Sequence, residues 1–186
     1  MALTKAIADT FARVEERLPQ VLIDSLREQW ARIIKLDEEI AIFERRLRDW
    51  KKEDKAVKAI SEIPGVGLLR ATAAVAMICD PKFFSSGREF AAWVGLVPKQ
   101  TGSGGKVSLH GISKRGDTYL RKLLIHGARA VLTHAKEPNP WIVQMQGRRP
   151  SNVVVVALAN KMVRTIWAVL AHDRRYDRSY ISVNPA

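Results

Sequence analysis

The regular spacing of apolar residues between Leu22 and Val57 constrains this chain more than any other feature. Steps of four and three residues separate them, with polar breaks at Gln29 and Asp54, and no glycine or proline follows before Pro64. Such spacing is typical of a heptad seam on a rod of roughly 50 Å, at about 1.5 Å per residue. We predict a coiled coil that pairs two subunits or two arms of one chain; the alternative is a long amphipathic helix lying on its own domain. The seam consists of Leu22, Leu26, Ile33, Leu36, Ile40, Phe43, Leu47, Trp50 and Val57.

Charge narrows the choice of partner. The chain carries 31 Lys and Arg against 19 Asp and Glu, a formal net charge of +12, and its pI is near 10.2. Such an excess attracts polyanions, and we favour nucleic acid over a membrane because no basic helix has the face of an interfacial anchor. No segment is expected to be long and charge-free enough to span a bilayer, so we predict a cytoplasmic protein. The single cysteine, Cys79, has apolar neighbours that predict a reduced thiol packed in the core.

The pattern of apolar residues predicts an all-α fold in three parts. These are an N-terminal helix and coiled coil over residues 1–59, a compact helical domain over 60–172 and a flexible tail over 173–186. The run Val153 to Val156 is compatible with a strand by itself, but the apolar pattern continues for several turns and favours helix. Beyond the seam, helices are predicted within residues 1–18 and over 55–62, 68–78, 90–93, 114–136, 141–145 and 152–172.

A glycine-rich turn follows the seam at Ile63 to Gly67 and joins two predicted helices. This arrangement indicates a helix-hairpin-helix motif. Gly65 and Gly67 permit positive φ and close approach, so the amides that open the next helix can face a phosphate without a side chain in the way. The alternative is a plain tight turn between packed helices, which needs glycine as well.

The most unusual stretch runs from Lys99 to Asp117, where glycine is dense and basic residues recur. We predict a Gly/Ser-rich basic loop there, followed by a helix with Ser113 as its N-cap. The loop and the helix together form a positive surface. Its predicted exposed cations on the helix are Lys114, Arg115, Arg121, Lys122 and Arg129.

Ser103 stands between Gly102 and Gly104 in that loop. A nucleophilic serine needs access, a route for its proton and stabilisation of charge at the attacked centre, and nearby cations suit a phosphodiester. A flexible loop without chemistry is the alternative that residue content favours. The four histidines are scattered without Cys or carboxylate partners at ligand spacing, so we predict no metal site.

Several stretches in this order resemble the C-terminal half of bacterial insertion-sequence transposases of the IS-one-ten type, IS-eleven-eleven subgroup. The match covers roughly Ile60 to Leu170, and the coiled coil also has a counterpart in that family. The stretches are Ile63 to Gly67, Phe83 to Arg88, Phe90 to Pro98, Ser103 to Lys106, Gly111 to Asp117, Tyr119 to Arg121 and Ala157 to Lys161.

The resemblance implies a recombinase of two parts. One is an N-terminal RuvC-like domain whose acidic cluster holds Mg²⁺, and the other is a C-terminal domain whose serine attacks DNA and becomes covalently joined to it. It also implies oligomers, a guide RNA and action on DNA at the bacterial nucleoid. Carried over by motif, Ser103 is the nucleophile, and Lys106, Lys114, Arg115 and Arg121 hold DNA or RNA phosphates. The residue patterns add Gly65, Gly67, Lys99 and Lys122 to the nucleic-acid-binding set.

Two departures from the family pattern shape our expectation. Relatives in the subgroup often have two serines before the glycines, whereas Thr101 and Gly102 precede a single serine here, so Ser103 is the only candidate in register. Nothing before Leu22 is long enough for a RuvC-like fold, so we expect no cofactor in this chain, and Mg²⁺ only with that domain. We therefore expect a truncated element, a fragment or a subunit completed in trans, which binds nucleic acid and dimerises but does not recombine DNA alone.

Three functions compete on these grounds. The first is a transposase domain that cleaves and transfers DNA strands with a serine nucleophile, and the second is a non-catalytic helix-hairpin-helix protein that binds nucleic acid. The third is a coiled-coil assembly factor whose basic face binds an acidic protein. Ser103 separates the first two, and the salt dependence of nucleic-acid binding separates both from the third.

Overall fold

The computed structural model describes residues 17–137 and 139–177, together with Ile7, Thr10 and Arg13. The chain divides into two compact units, Met1–Arg46 and Leu47–Ala186. Most of the helix predicted within residues 1–18 lies outside the described residues. The described helices are α1 (Gln20–Glu53), α2 (Lys55–Ile60), α3 (Leu68–Ile78), α4 (Gly87–Val94), α5 (Thr118–His134), α6 (Pro140–Gln146) and α7 (Ser151–Ala171), with a 3-10 turn at Pro81–Phe83.

The structure is mostly helical, in broad agreement with the predicted all-α class, and adds two strands that were not predicted. β1 (Pro98–Ser103) pairs antiparallel with β2 (Lys106–Ile112), and the chain between them turns at Gly104 and Gly105. The predicted Gly/Ser-rich loop is therefore a β-hairpin. Helices make up the rest of the regular structure, as predicted.

Helix α1 confirms the predicted long helix but ends before Val57. Asp54 breaks it, because its side chain accepts a hydrogen bond from the Val57 amide at 2.9 Å and so caps α2. Val57 and Ile60 belong to the core of the larger unit. Helix α2 therefore packs in the larger unit, whereas we predicted that the N-terminal part extends to residue 59. Within the described part of the smaller unit, Ile23 is the buried apolar residue.

Helix α7 is the centre of the larger unit and confirms the helical interpretation of its valine run. It contacts α2, α4, α5, α6 and the 3-10 turn. By length and composition alone α7 could cross a membrane, contrary to our expectation that no segment could. Its buried face packs in the protein core and consists of Val154, Val155, Leu158, Ala159, Met162, Val163, Ile166 and Val169.

The turn between α2 and α3 packs directly against α5. Gly65 has φ +81°, and a Cβ on it would lie 2.7 Å from Val131 Cγ2 and 2.8 Å from the Gly127 carbonyl oxygen. The position thus requires glycine for two reasons, a left-handed backbone and lack of space. At Gly65 the structure favours the tight-turn alternative over close approach to a phosphate.

Helix α4 begins at a capping box formed by Ser85, Ser86 and Glu89. Ser86 Oγ accepts a hydrogen bond from the Glu89 amide at 3.2 Å, and the Glu89 carboxylate accepts from the Ser85 hydroxyl and amide at 2.6 and 2.7 Å. The hydroxyl of Ser85, followed by its amide, lowers the pKa of the Glu89 carboxyl below its ordinary value. Glu89 is consequently ionised and held at Ser85 at neutral pH.

The chain crosses itself where α4 ends. A Cβ on Gly95 would overlap the Arg115 carbonyl oxygen, and a Cβ on Gly116 would overlap the Trp93 carbonyl oxygen. Both glycines have positive φ, at +80° and +88°. The segment from Ser113 to Gly116 can therefore pass over the end of α4 only because residues 95 and 116 are both glycine.

This crossing shows that the predicted start of α5 was wrong. Ser113 is not its N-cap, because Lys114 and Gly116 have φ of +55° and +88° and cannot open a right-handed helix. Asp117 caps the helix instead, and its carboxylate accepts from the Leu120 amide at 2.5 Å. Ser113 gives its amide to the Val97 carbonyl at 2.8 Å.

Two further predictions concern residues that follow the ends of helices, Cys79 after α3 and the tail after α7. Cys79 is exposed rather than packed in the core, because α3 ends at Ile78 and the backbone of Cys79 turns away with φ 53°. In the predicted flexible tail, Arg174 donates its amide to the Val169 carbonyl at 3.1 Å and Tyr176 packs against the core. Residues 178–186 lie outside the described part of the chain.

Gly95→Ala and Gly104→Ala form a matched pair that tests the crossing. Both positions have positive φ, but a Cβ on Gly104 meets nothing within 4 Å. We expect Gly104→Ala to lower the free energy of unfolding by about 1 kcal/mol for the backbone alone, and Gly95→Ala by about 3 kcal/mol or more because the crossing must open. Urea unfolding of both variants measures the difference. Equal losses would show that the crossing does not limit stability.

Candidate nucleic-acid interface

The β-hairpin projects its turn into solvent. Gly104 and Gly105 have φ of +56° and +78°, the combination that a two-residue hairpin turn with matching twist requires. A Cβ on either glycine would meet nothing within 4 Å, so the turn stands in open space. Strand β2 is exposed along its length except at Ile112, which is half-buried. A ligand as large as a nucleic acid can therefore reach the turn from several sides.

Ser103 is the last residue of β1 and immediately precedes the turn. Its Cα pairs with that of Lys106 across the hairpin. The backbones of the predicted nucleophile and of one predicted phosphate-binding lysine are therefore paired in register at the end of the hairpin. The strand is irregular only at its root, between Pro98 and Gln100.

The hairpin and the segments next to it in sequence carry positive charge and contain no acidic residue. From Phe90 to Gly116 the chain has no Asp or Glu, and Asp117 uses its carboxylate as the cap of α5. Cations that are not neutralised locally attract phosphates, which bind mainly through such contacts. Five cations predicted to bind phosphate are exposed, namely Lys99, Lys106, Lys114, Arg115 and Lys122.

Arg121 was predicted to lie on the exposed side of α5, and this prediction is wrong. It is 8% exposed, and its guanidinium donates to the Val94 carbonyl at 3.0 Å and the Thr118 hydroxyl at 3.1 Å. Longer contacts reach the carbonyls of Arg115 and Asp117 at 3.4 and 3.5 Å. A buried guanidinium needs such acceptors, so Arg121 holds the crossing together and is not available to a phosphate.

The two glycines of the predicted helix-hairpin-helix differ. Gly65 is enclosed by α5 and α7, whereas Gly67 is exposed, caps α3 and has an extended backbone with φ −76°. A Cβ on Gly67 would come no closer than 3.9 Å to the Arg70 side chain. Only Gly67 and the amides that follow it therefore have room to face a phosphate.

The structure also shows a side-chain pair that sequence reasoning missed. Thr101 Oγ1 and His110 Nε2 share a hydrogen bond of 2.6 Å across the exposed hairpin. Thr101 pairs with Ser108, so His110 is two residues further along the same face of β2. The sequence signal was the alternation of polar and apolar residues from Lys106 to Ile112, which identifies a strand and thereby its cross-strand neighbours.

We find no candidate Mg²⁺ site among the described residues. Across the described ranges, no three His, Cys, Asp or Glu residues lie close enough together to hold a metal ion. The acidic cluster that the resemblance implies for an N-terminal domain is thus not found among the described residues.

Fold and surface together define a class: a basic, mainly helical domain with an exposed β-hairpin that turns at two glycines. Residues 57–142 match the sequence profile of the "Transposase IS116/IS110/IS902 family". This part of the chain therefore belongs to the IS116/IS110/IS902 family of transposases.

Individual relatives agree with this assignment. A "Probable family 20 transposase" of Pseudomonas aeruginosa is 42% identical over 182 residues, which cover 94% of this chain and 53% of the relative. The "Transposase for insertion sequence element IS1111A" of Coxiella burnetii is 40% identical over 151 residues, 79% of this chain and 42% of the relative. That for element IS1328 of Yersinia enterocolitica is 37% identical over 159 residues, 83% of this chain and 48% of the relative. The chain spans about half the length of the curated relatives it matches.

Arg121→Met and Lys122→Met separate a buried cation from an exposed one at neighbouring positions. Arg121→Met should lower the free energy of unfolding by about 2–4 kcal/mol, because buried carbonyls lose a charged donor. Lys122→Met should change it by less than about 0.5 kcal/mol, and should reduce the slope of log affinity against log salt for duplex DNA by about 1. Urea unfolding and a salt series of binding measure the two effects.

Three results would contradict this division of roles. A stability loss in Lys122→Met as large as in Arg121→Met would show that both lysine and arginine are structural. An unchanged salt slope in Lys122→Met would remove this lysine from the interface. Weak, salt-insensitive binding by the unaltered chain would instead favour an acidic protein as the partner.

Proposed function

We propose that this chain is the DNA-binding and strand-cleaving domain of a transposase, with Ser103 as the nucleophile. The observation that carries the proposal is the position of Ser103, next to an open glycine turn and in register with Lys106. Family membership supports DNA as the partner. Its action would take place in the cytoplasm, at the nucleoid.

The proposed reaction is a transesterification. The Ser103 Oγ forms a bond to the phosphorus of a DNA phosphodiester while one P–O ester bond breaks. The departing sugar oxygen takes up a proton as the serine gives one up, so no oxidant, reductant or nucleotide is consumed. Lys106, with Lys99 and Lys114 as further cations of the surface, stabilises the charge that develops on the phosphoryl oxygens. Mg²⁺ would require donors beyond the described residues.

Several finer features of the family belong to this proposal. A guide RNA would use the same exposed cations, because their contacts with phosphates carry no sequence information. The α2–α3 turn would act as a helix-hairpin-helix through the amides after Gly67. The activity of a complete transposase would need the RuvC-like domain, either in the same polypeptide or from a partner.

Ser103→Ala tests the nucleophile, and Thr101→Val is its matched control on the same strand. The chain is mixed with the N-terminal half of a full-length family transposase, Mg²⁺ and a plasmid carrying the DNA that flanks this reading frame. A protein–DNA adduct that survives denaturation should form with the unaltered chain, and Ser103→Ala should abolish it because no oxygen can attack. Thr101→Val should retain most of it. Gel mobility of labelled DNA measures the adduct.

Other outcomes assign the chain differently. Loss of the adduct in Thr101→Val, with retention in Ser103→Ala, would make the hydroxyl paired with His110 the nucleophile. No adduct from the unaltered chain, with DNA binding intact, would favour the non-catalytic nucleic-acid-binding protein.

We also propose that α1 associates with a second copy through its seam. Four seam residues of the smaller unit are about half exposed, and an uncovered apolar stripe of this length favours burial against another helix. Their exposed fractions are 47% for Ile33, 55% for Leu36 and Ile40, and 59% for Phe43. Among the positions between them lie charged residues of both signs, Lys35, Asp37, Glu38 and Glu39, as on the outer faces of a coiled coil.

Ile40→Glu and Ile42→Glu test the seam with the same substitution at exposed positions two residues apart. Ile40 lies on the seam and Ile42 does not, although their exposed fractions are similar, 55% and 46%. Ile40→Glu should weaken association by about tenfold or more, because it places a charge in the apolar contact. Ile42→Glu should leave it nearly unchanged. Sedimentation equilibrium measures the association constants, and equal effects would argue against a heptad contact.

A further inference from the structure

An open cleft of about 500 Å³ lies where α4, β1 and α7 meet. Its apolar floor is formed by Ala91, Val97 and Pro98, and two arginines, Arg88 and Arg164, line it. The amide side chains of Gln100 and Asn160 complete its lining. A volume of this size is within the range of sites that bind small organic molecules.

Close packing of α4 on α7 brings the two arginines to one cleft. A Cβ on Gly87 would lie 3.2 Å from both the Cα and the carbonyl oxygen of Arg164, so the start of α4 touches the backbone of α7. Arg88 follows Gly87 directly. One turn before Arg164, Asn160 Nδ2 donates to the Leu96 carbonyl at 3.1 Å and ties α7 to the residues that lead into β1. The walls of the cleft are therefore set by packed elements.

The arginines of the cleft are not neutralised. Both are exposed, and no carboxylate lines the cleft. Glu89, the neighbour of Arg88, is held by Ser85 in the capping box. In the described part of the chain, neither guanidinium has an ion pair or hydrogen bond. Two like charges held at one cleft without a counterion favour an anion there.

The mixture of surfaces indicates what the anion carries. A bare phosphate would use the guanidiniums but not the apolar floor, and an apolar ligand would not need two arginines. A nucleotide uses both, because guanidiniums bind phosphate with paired donors and a base has apolar faces with a polar edge. In a duplex, stacking and pairing keep the base from such a floor, whereas an unpaired base is free to enter.

We propose that this cleft binds one unpaired nucleotide of a DNA or RNA strand. Arg88 and Arg164 hold its phosphate, the base lies on the floor at Val97 and Pro98, and Gln100 faces the polar edge of the base. This inference rests on the proposed function and adds to it a site for an opened strand, away from the hairpin turn.

The double variant Arg88→Gln/Arg164→Gln tests the site, and Arg149→Gln is the control, since Arg149 is an exposed arginine outside the cleft. The probes are one sequence as single-stranded DNA, single-stranded RNA and duplex DNA, each with one 2-aminopurine, at fixed salt. The double variant should bind at least one single strand about tenfold or more weaker, while its duplex affinity changes by less than about threefold. The 2-aminopurine in that strand should change its fluorescence on binding to the unaltered chain but not on mixing with the double variant.

The three probes distinguish DNA from RNA as the ligand and the cleft proposal from the proposed function. The single strand, DNA or RNA, whose affinity falls more in the double variant is the one that the cleft binds. Equal losses for single strands and duplex, or an equal loss in Arg149→Gln, would overturn the cleft proposal while the proposed function stands. If the unaltered chain binds the duplex but neither single strand, the cleft proposal is likewise overturned and the proposed function stands. If the unaltered chain binds neither single strands nor duplex, both the cleft proposal and the proposed function are overturned.

Gln100→Leu, which alters an exposed residue, tests the contact with the base edge. This variant should discriminate less among homopolymer strands than the unaltered chain does.

Discussion

The buried guanidinium of Arg121 joins parts of the chain that the rest of the larger unit depends on. From α5 it donates to the last residue of α4, Val94, 27 positions earlier, and contacts the backbone of the crossing segment at Arg115. A buried charge is costly unless its donors are satisfied, and backbone carbonyls at the end of a helix are suitable acceptors because they lack partners within that helix. Gly95 and Gly116 make the geometry possible, since any side chain there would overlap the crossing backbone.

This crossing explains how an exposed hairpin keeps a defined place. A two-stranded hairpin is marginally stable alone in water, and the hairpin here has no core of its own beneath its tip. Its root is held by backbone hydrogen bonds from Ser113 to Val97 and from Lys114 to Gly95, at 2.8 and 3.2 Å. The base of the hairpin is thus part of the packed unit, whereas the end near Ser103 remains open to a large partner.

Local pattern was sufficient for the helices and insufficient for the contacts between them. The apolar period identified α1, α3 and α7, and the last of these confirmed that a run of valines can continue as a helix. Dense glycine indicates a loop and hides the hairpin, although Val107 and Leu109 alternate with polar residues after a Gly-Gly turn. Arg121 was misplaced because arginine is rarely buried, and its acceptor at Val94 is distant in sequence. Likewise, no local signal connects Arg88 with Arg164, which line one cleft because α4 and α7 pack closely at Gly87.

Strand β1 connects the two places at which this domain is suited to meet a nucleic acid. Gln100 lines the cleft near its root, and Ser103 ends the strand at the exposed turn. At about 3.3 Å per residue, the three steps between them span roughly 10 Å. Under the two proposals, a strand that is held in the cleft and cleaved at Ser103 would have to span this distance. The packed root of the hairpin would then set which phosphodiester the serine meets, even though the contacts at the turn carry no sequence information.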